Sequence, residues 1–167
     1  EFRALYASGI HDALHLTFGP CEKDSAVAFA TTLRNALVLG LSIALRQGPS
    51  EIRAFTRPSS DPTHVDILFY EATSGSAGAL ARVLEGNTLR EVVGHALESL
   101  HFSATGENLR PECATACYEC LQDFFNQREQ AALNRHLVKD FLVWLRNAPT
   151  QPVDTAAWDT LIANVSG

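Results

Sequence analysis

The chain has 167 residues, of which 46% are hydrophobic and 19% are charged, and its formal net charge is −6. This composition is typical of one medium-sized globular domain and excludes a disordered chain. The acidic balance argues against an independent nucleic-acid-binding domain, because affinity for phosphates comes from lysine and arginine. The start at Glu1-Phe2-Arg3 has neither an initiator methionine nor a signal-peptide pattern. We therefore expect a C-terminal fragment of a larger cytoplasmic protein, with no membrane segment.

Three segments in the first half of the chain have the pattern of β-strands. Residues 12–18 and 52–57 alternate between apolar and polar side chains, and residues 64–70 form a nearly continuous apolar run. Between the first two strands, Asp24 or Ser25 can cap a helix that continues to about Gln47. This helix carries apolar residues all round, which predicts a central position in the fold.

The second half of the chain favours helices. A loop at residues 73–78, TSGSAG, precedes a helix that ends near Leu84. Thr88 and Glu91 have the spacing of a capping box, which predicts a second helix that ends near Leu100. Together with the three strands, these helices predict an α+β fold that is mainly helical, with helices packed on a small sheet of about three strands.

Two more helices are predicted after the cysteine-rich region. One runs from about residue 130 to 147 and a short closing helix covers residues 154–164. The longer of the two shows an amphipathic pattern. Its predicted buried face consists of Leu133, Leu137, Phe141, Trp144 and Leu145.

Three of the four cysteines, Cys113, Cys117 and Cys120, lie within eight residues with the spacing C-x3-C-x2-C. Thiolates are soft, negatively charged ligands, and a short loop can bring several of them to one point. The cluster therefore predicts a metal-binding loop that holds a structural zinc ion. The alternative without metal is three small thiols packed in a core.

A closed structural zinc site has four ligands, so one ligand must come from outside the cluster. Cys21, in the loop after the first strand, is the first candidate, and His101 and His136 follow it. A catalytic zinc with three thiolates and a water is less favoured, because no nearby carboxylate and histidine pair has the character of a general base.

The C-x3-C-x2-C spacing is also that of radical SAM enzymes, which hold a four-iron cluster with three cysteines. In those enzymes the motif follows the first strand of a β/α barrel, and most of the barrel comes after the motif. Here the residues after Cys120 are too few for a barrel and predict helices. The spacing therefore favours zinc, and an iron–sulfur enzyme domain of the radical SAM type is the least favoured alternative.

Taken in order, these features resemble the zinc-binding C-terminal domain of MrfA-type superfamily-two helicases, which is similar to the core of the DrmB component of DISARM antiphage systems. The resemblance covers nearly the whole chain. Three family motifs carry it: an apolar strand with a D-x-x-x-G-G-A-G turn, the ligands C-x-C-x3-C-x2-C, and a helix start N-Q-x-x-H-x-x-L-x-R. The matching residues are Tyr70, Glu71, Gly75, Ser76, Ala77 and Gly78, then Cys113, Cys117 and Cys120, and finally Asn126, Gln127, Leu133 and Arg135.

The chain departs from the family pattern at three positions. Pro111 stands where the family has its first zinc thiolate, Ser76 replaces a glycine, and Gln130 replaces the histidine. The local motif therefore supplies three zinc ligands instead of four.

The resemblance implies that residues 1–167 form one helicase-associated domain that binds structural zinc and is not catalytic. The implied partners are a helicase ATPase domain or subunit and, through the parent complex, DNA. The implied role is to assist DNA engagement or subunit assembly in DNA repair or antiphage defence. The chain has no Walker loop and no helicase acidic motif, so ATP hydrolysis would belong to the parent or partner. A protein–protein interaction module without metal is the alternative from another class.

Overall fold

The computed structural model describes residues 12–19, 23–48, 50–58, 64–72 and 78–149. Within this part, three strands form an antiparallel sheet in the order β1-β3-β2. The strands are β1 (Ala13–Phe18), β2 (Ile52–Pro58) and β3 (Val65–Glu71). Each lies within one residue of its predicted bounds, because alternation of apolar and polar residues and a short continuous apolar run are both strong local signals.

Three α-helices accompany the sheet: α1 (Lys23–Ala44), α2 (Thr88–Ser99) and α3 (Arg135–Asn147). Two short 3-10 helices cover Leu80–Leu84 and Gln130–Ala132. The predicted α+β fold is confirmed.

The central helix is α1, which packs against β2, β3, α2 and α3. Leu33, Leu37 and Leu41 on this helix are buried. The segment Ala26–Ala44 is also long and apolar enough to cross a membrane, by length and composition alone. In this fold the same apolar surface packs on the sheet and on the other helices, as the prediction of a central position requires.

Helices α1 and α2 approach each other closely in this core. A Cβ atom added to Gly40 of α1 would lie 2.2 Å from the carbonyl oxygen of Val92 in α2. Only a glycine therefore lets the two backbones come this near.

The two faces of the sheet differ. Because side chains alternate along a strand, Leu14, Leu16 and Phe18 of β1 share one face, and this face packs on the core. The ring of Phe18 lies 5.5 Å from that of Phe29 in α1 and 5.4 Å from that of Phe141 in α3. The opposite face carries exposed residues of β2.

The helix starts differ from the prediction. Helix α1 begins at Lys23, so Asp24 and Ser25, the predicted caps, already lie within the helix. The residue before α2 is Asn87, whose side chain makes no capping hydrogen bond, and Thr88 is already helical. The predicted capping box of Thr88 and Glu91 is therefore wrong. The segment before it forms only one 3-10 turn, at whose start the carboxylate of Glu71 accepts a hydrogen bond from the Leu80 N–H (2.8 Å). Residues 73–77 of the TSGSAG loop lie outside the described residues.

Helix α3 begins five residues later than predicted. The chain is extended at Leu133, and Asn134 then caps α3 by accepting a hydrogen bond from the His136 N–H. Asn126 and Gln127, matched to a helix start by the resemblance, lie in a turn. The predicted closing helix at residues 154–164 lies outside the described residues.

The buried face of α3 also differs from the predicted one. Arg135, Val138 and Leu142 are fully buried, whereas Trp144 is 62% exposed and Leu137 is 38% exposed. The amphipathic pattern assumed that the buried face is apolar throughout. The buried face of α3 includes Arg135, so it does not coincide with the apolar stripe that the sequence predicts.

Candidate metal centre

The first residue of the site follows the last turn of α2. His101 has a left-handed backbone with φ 61°, a conformation that normally favours glycine or asparagine at the end of a helix. Hydrogen bonds from the His101 N–H to the Glu98 carbonyl and from the Phe102 N–H to the Leu97 carbonyl, each 2.9 Å, fix this turn. The turn directs the imidazole of His101 toward the cysteine loop.

The cysteine loop folds into tight turns that gather the thiols. The Cys113 N–H donates to the Arg110 carbonyl (3.1 Å), and the Cys120 N–H donates to the Cys117 carbonyl (3.1 Å). The Cys117 N–H donates to the sulfur of Cys120 (3.1 Å). Such a bond stabilises negative charge on a sulfur, so the backbone is already arranged for thiolates.

The four side chains converge on one point. His101 Nε2 lies 3.4 Å from Cys117 Sγ, while Cys120 Sγ lies 3.5 Å from Cys117 Sγ and 3.9 Å from Cys113 Sγ. All four ligand atoms lie within 4.8 Å of one another. Tetrahedral zinc with Zn–S bonds of about 2.3 Å requires sulfurs about 3.8 Å apart. The arrangement therefore has the size of a tetrahedral site for a single zinc ion.

The same spacing argues against an iron–sulfur cluster. A four-iron cluster binds each thiolate to a different iron, which keeps the sulfurs farther apart than ligands of a single ion. In addition, His101 completes a set of four protein ligands, whereas a radical SAM cluster keeps one iron without a protein ligand.

The surroundings set the protonation of the ligands. Burial raises the pKa of the Cys113 thiol and raises that of Cys120 to about 12. Burial acts in the same direction on Cys117, but hydrogen bonds from the Glu119 backbone and from the other two thiols bring its pKa below the ordinary value. Zinc must displace protons from these thiols, so its affinity should increase with pH.

His101 is held in the form that binds metal. Burial lowers the pKa of its imidazole, and the positive charges of Arg110 and Arg135 act in the same direction. At neutral pH the ring is therefore neutral and carries a free lone pair.

A shallow opening of about 160 Å³ leads from the surface to Cys113 and Cys117. At its rim, Arg110 forms ion pairs with Glu112 and Glu119. These hydrogen bonds raise the pKa of Arg110 and lower that of Glu119. The pKa of Glu112 is lowered first by a hydrogen bond from its own backbone and then by the one from Arg110. Exposed ion pairs of this kind contribute little to stability, and this one ties the two halves of the cysteine loop together.

The structure brings together three of the four predicted ligands, Cys113, Cys117 and Cys120. Cys21, the first candidate for the fourth position, lies outside the described residues, and the prediction for it stays untested. His101, the second candidate, is present in the ligand group. His136 is exposed and its ring packs against Phe102 at 5.5 Å, so it does not belong to this group.

Arg135 is the residue of this region whose place the sequence did not reveal. Its guanidinium is fully buried behind the loop and donates two hydrogen bonds to the Cys113 carbonyl, of 2.9 and 2.6 Å. An arginine at a helix start is normally exposed, and the match of Arg135 to the family's helix-start motif did not indicate that it is buried.

The fold and the four-ligand group define a zinc-binding domain. Residues 33–121, just over half of the chain, match the model of the MrfA Zn-binding domain family, MZB. The chain belongs to this family. The matched region includes His101 and all three clustered cysteines and ends before α3. No curated protein and no solved structure matches the chain.

Proposed function

We propose that the chain is a non-catalytic accessory domain, stabilised by zinc, that helps a DNA helicase or translocase engage single-stranded DNA. The metal centre carries the proposal, because four protein ligands fill a tetrahedral shell and leave no position for a catalytic water. The sequence resemblance to MrfA-type helicases supports a role in DNA repair, and the resemblance to DrmB supports one in antiphage defence. In either setting, ATP hydrolysis belongs to the parent protein or to a partner subunit.

The outer face of the sheet offers a surface for DNA. Arg53, Phe55 and Arg57 follow at every second position of β2 and are exposed. The ring of Phe55 lies 6.1 Å from that of Tyr70, its diagonal neighbour on β3. Asp66, the cross-strand partner of Arg57 on this face, is buried and accepts a hydrogen bond from Thr17 (2.8 Å).

The combination of exposed arginines and aromatic rings is suited to binding single-stranded DNA. Aromatic rings stack on unpaired bases, and arginines bind the phosphates between them, whereas the bases of a duplex are already stacked on one another. Because the whole chain carries a net charge of −6, its own affinity should be weak, and the motor would supply the remaining contacts.

The test measures binding of the 167-residue chain to a fluorescent single-stranded oligothymidine and to a duplex of equal length, by anisotropy at several salt concentrations. We expect weak, salt-sensitive binding with a preference for the single strand. Arg53→Gln with Arg57→Gln should lower the salt slope by about 0.7 for each arginine. Phe55→Ala should weaken binding by about 1–3 kcal/mol and leave the slope unchanged.

A matched control uses aromatic residues elsewhere on the surface. Phe124→Ala with Phe125→Ala should leave DNA binding unchanged, because neither residue lies in the sheet. If the sheet variants bind as the unmodified chain does, or if the duplex is preferred, the proposed DNA surface is wrong.

Subunit assembly is the second candidate function, and a separate surface favours it. Tyr118, Phe124 and Phe125, next to the metal loop, are 73–79% exposed. Exposed aromatic side chains are enriched at protein interfaces. In this case the Phe124→Ala, Phe125→Ala chain would fail to associate with its helicase motor and still bind DNA.

A further inference from the structure

Arg135 is a buried cation whose hydrogen-bond acceptors are all uncharged. Its side chain has no solvent exposure and donates to the carbonyl oxygens of Leu100 (3.0 Å), Arg110 (3.0 Å) and Cys113, and to Oδ1 of Asn108 (2.8 Å). None of these acceptors is a carboxylate. The guanidinium also lies 4.6 Å from the centre of the Phe102 ring. Burying a charge without a counter-charge is costly, so this arrangement requires a source of negative charge nearby.

The side-chain acceptors lie between the residue before His101 and the first cysteine ligand. Leu100 directly precedes His101, and Cys113 is itself a ligand. The Arg135 N–H adds a bond to the Thr115 carbonyl (2.8 Å), between Cys113 and Cys117. One side chain and its backbone thus fix the position of the histidine relative to the cysteines.

The ligand set supplies the missing charge. Zinc bound by three thiolates and one neutral imidazole carries one net negative charge. Arg110, the other arginine beside the loop, is already paired with Glu112 and Glu119 at the surface. Within the described part of the protein, Arg135 is therefore the buried cation that can balance the negative charge of the zinc and its ligands.

We propose that Arg135 is the positioning residue and the internal counter-charge of the zinc site. It does not bind the metal. Its fork of donors holds His101 and Cys113 at the distances that tetrahedral coordination requires, and its charge offsets that of the zinc–thiolate centre. The proposal rests on the zinc site described above.

The proposal predicts that Arg135→Met changes the stability of the zinc-loaded protein and of the metal-free protein differently. Arg135→Met removes the charge and the donors while keeping a long side chain. In the zinc-loaded protein the melting temperature should fall, and the affinity for zinc, measured by competition with a chromophoric chelator, should fall by about 10–100-fold. In the metal-free protein the melting temperature should stay the same, because the C-terminal third is then unfolded and Arg135 is no longer buried.

Two further variants separate charge from position. Arg135→Lys keeps the charge but loses the fork of donors. It should recover part of the zinc affinity and alter the ligand-field absorption of the cobalt-substituted protein, which reports the geometry of the ligands. Arg90→Met, the matched control at an exposed arginine of α2 outside the metal loop, should keep both the affinity and the cobalt spectrum within error of the unmodified chain.

A purely structural role would give a different result. If Arg135→Met lowers the melting temperature equally with and without zinc and leaves the affinity for zinc unchanged, the proposal is wrong. If Arg135→Met does not fold, an unchanged affinity and cobalt spectrum in Arg135→Lys would also overturn it. Failure of the unmodified chain to bind zinc would instead refute the zinc site itself.

Discussion

His101 lies directly after α2 in a backbone conformation that residues other than glycine rarely adopt. For an L-residue this conformation costs roughly 1 kcal/mol. The turn places the imidazole 3.4 Å from the sulfur of Cys117, a position that a regular helix end would not reach. The strain is thus explained by the ligand that it positions.

At the residue scale, no sequence feature ranks His101 above Cys21. A residue other than glycine after a helix is not a signal by itself, because Arg46 after α1 has the same left-handed backbone (φ 55°). Pro111, which replaces a thiolate of the family pattern, removes one local ligand. Only the three-dimensional structure shows that the end of α2 supplies another.

The ligand set can be tested by two single substitutions. His101→Ala keeps the backbone cost but removes a ligand, so zinc affinity should fall by more than the roughly 10–100-fold typical of outer-shell residues. Cys21→Ser should leave the affinity unchanged, because four described side chains already complete the shell. Competition with a chromophoric chelator measures both. The reverse result would identify Cys21 as the fourth ligand.

At the scale of the elements, the close crossing of α1 and α2 depends on Gly40, which has no side chain. Gly40 faces the Val92 carbonyl and the backbone of Ala96, so any added atom must push the helices apart. The glycine was unremarkable in the sequence, since a glycine in a long apolar helix can also be tolerated at a small cost.

Two glycine-to-alanine substitutions test this contact. Gly40→Ala should destabilise the protein by about 1–3 kcal/mol, the cost of overpacking a core. Gly94→Ala in α2 is the control, because its added Cβ would meet only Arg146 Nε at 3.6 Å. The control should be neutral or stabilise by up to about 1 kcal/mol, through the higher helix propensity of alanine. Urea denaturation measures both, and equal effects would contradict the close crossing.

For the molecule as a whole, hydrogen bonds join the segment after the metal loop to the central helix α1. Asn126, just after the loop, donates to the Leu121 carbonyl (2.6 Å) and to Asn35 of α1 (3.2 Å). Thr32 of α1 accepts a hydrogen bond from the Asn134 N–H (3.1 Å) at the start of α3. The loop and α3 are thereby joined to the central helix, and zinc should stabilise the whole C-terminal third.

Removal of the metal tests this connection. A strong chelator, or Cys117→Ser, should unfold the C-terminal third and lower the melting temperature by about 10 °C or more, since 1 kcal/mol corresponds to about 2–4 °C at this size. Hydrogen exchange should show lost protection from residue 101 onward and retained protection in α1 and the sheet. Added zinc should restore the chelated protein but not the variant. Unchanged melting would contradict a structural zinc.

The sequence by itself determined the three strands, the central helix and the cysteine cluster. Each of these is a local pattern: alternation, an apolar run, or the spacing of a few thiols. The sequence could not determine the start and buried face of α3, the buried position of Arg135, or the convergence of His101 with the cysteines. These depend on contacts between residues far apart in the chain, where hydrogen bonds to the loop and the packing of α1 against α2 override local preference.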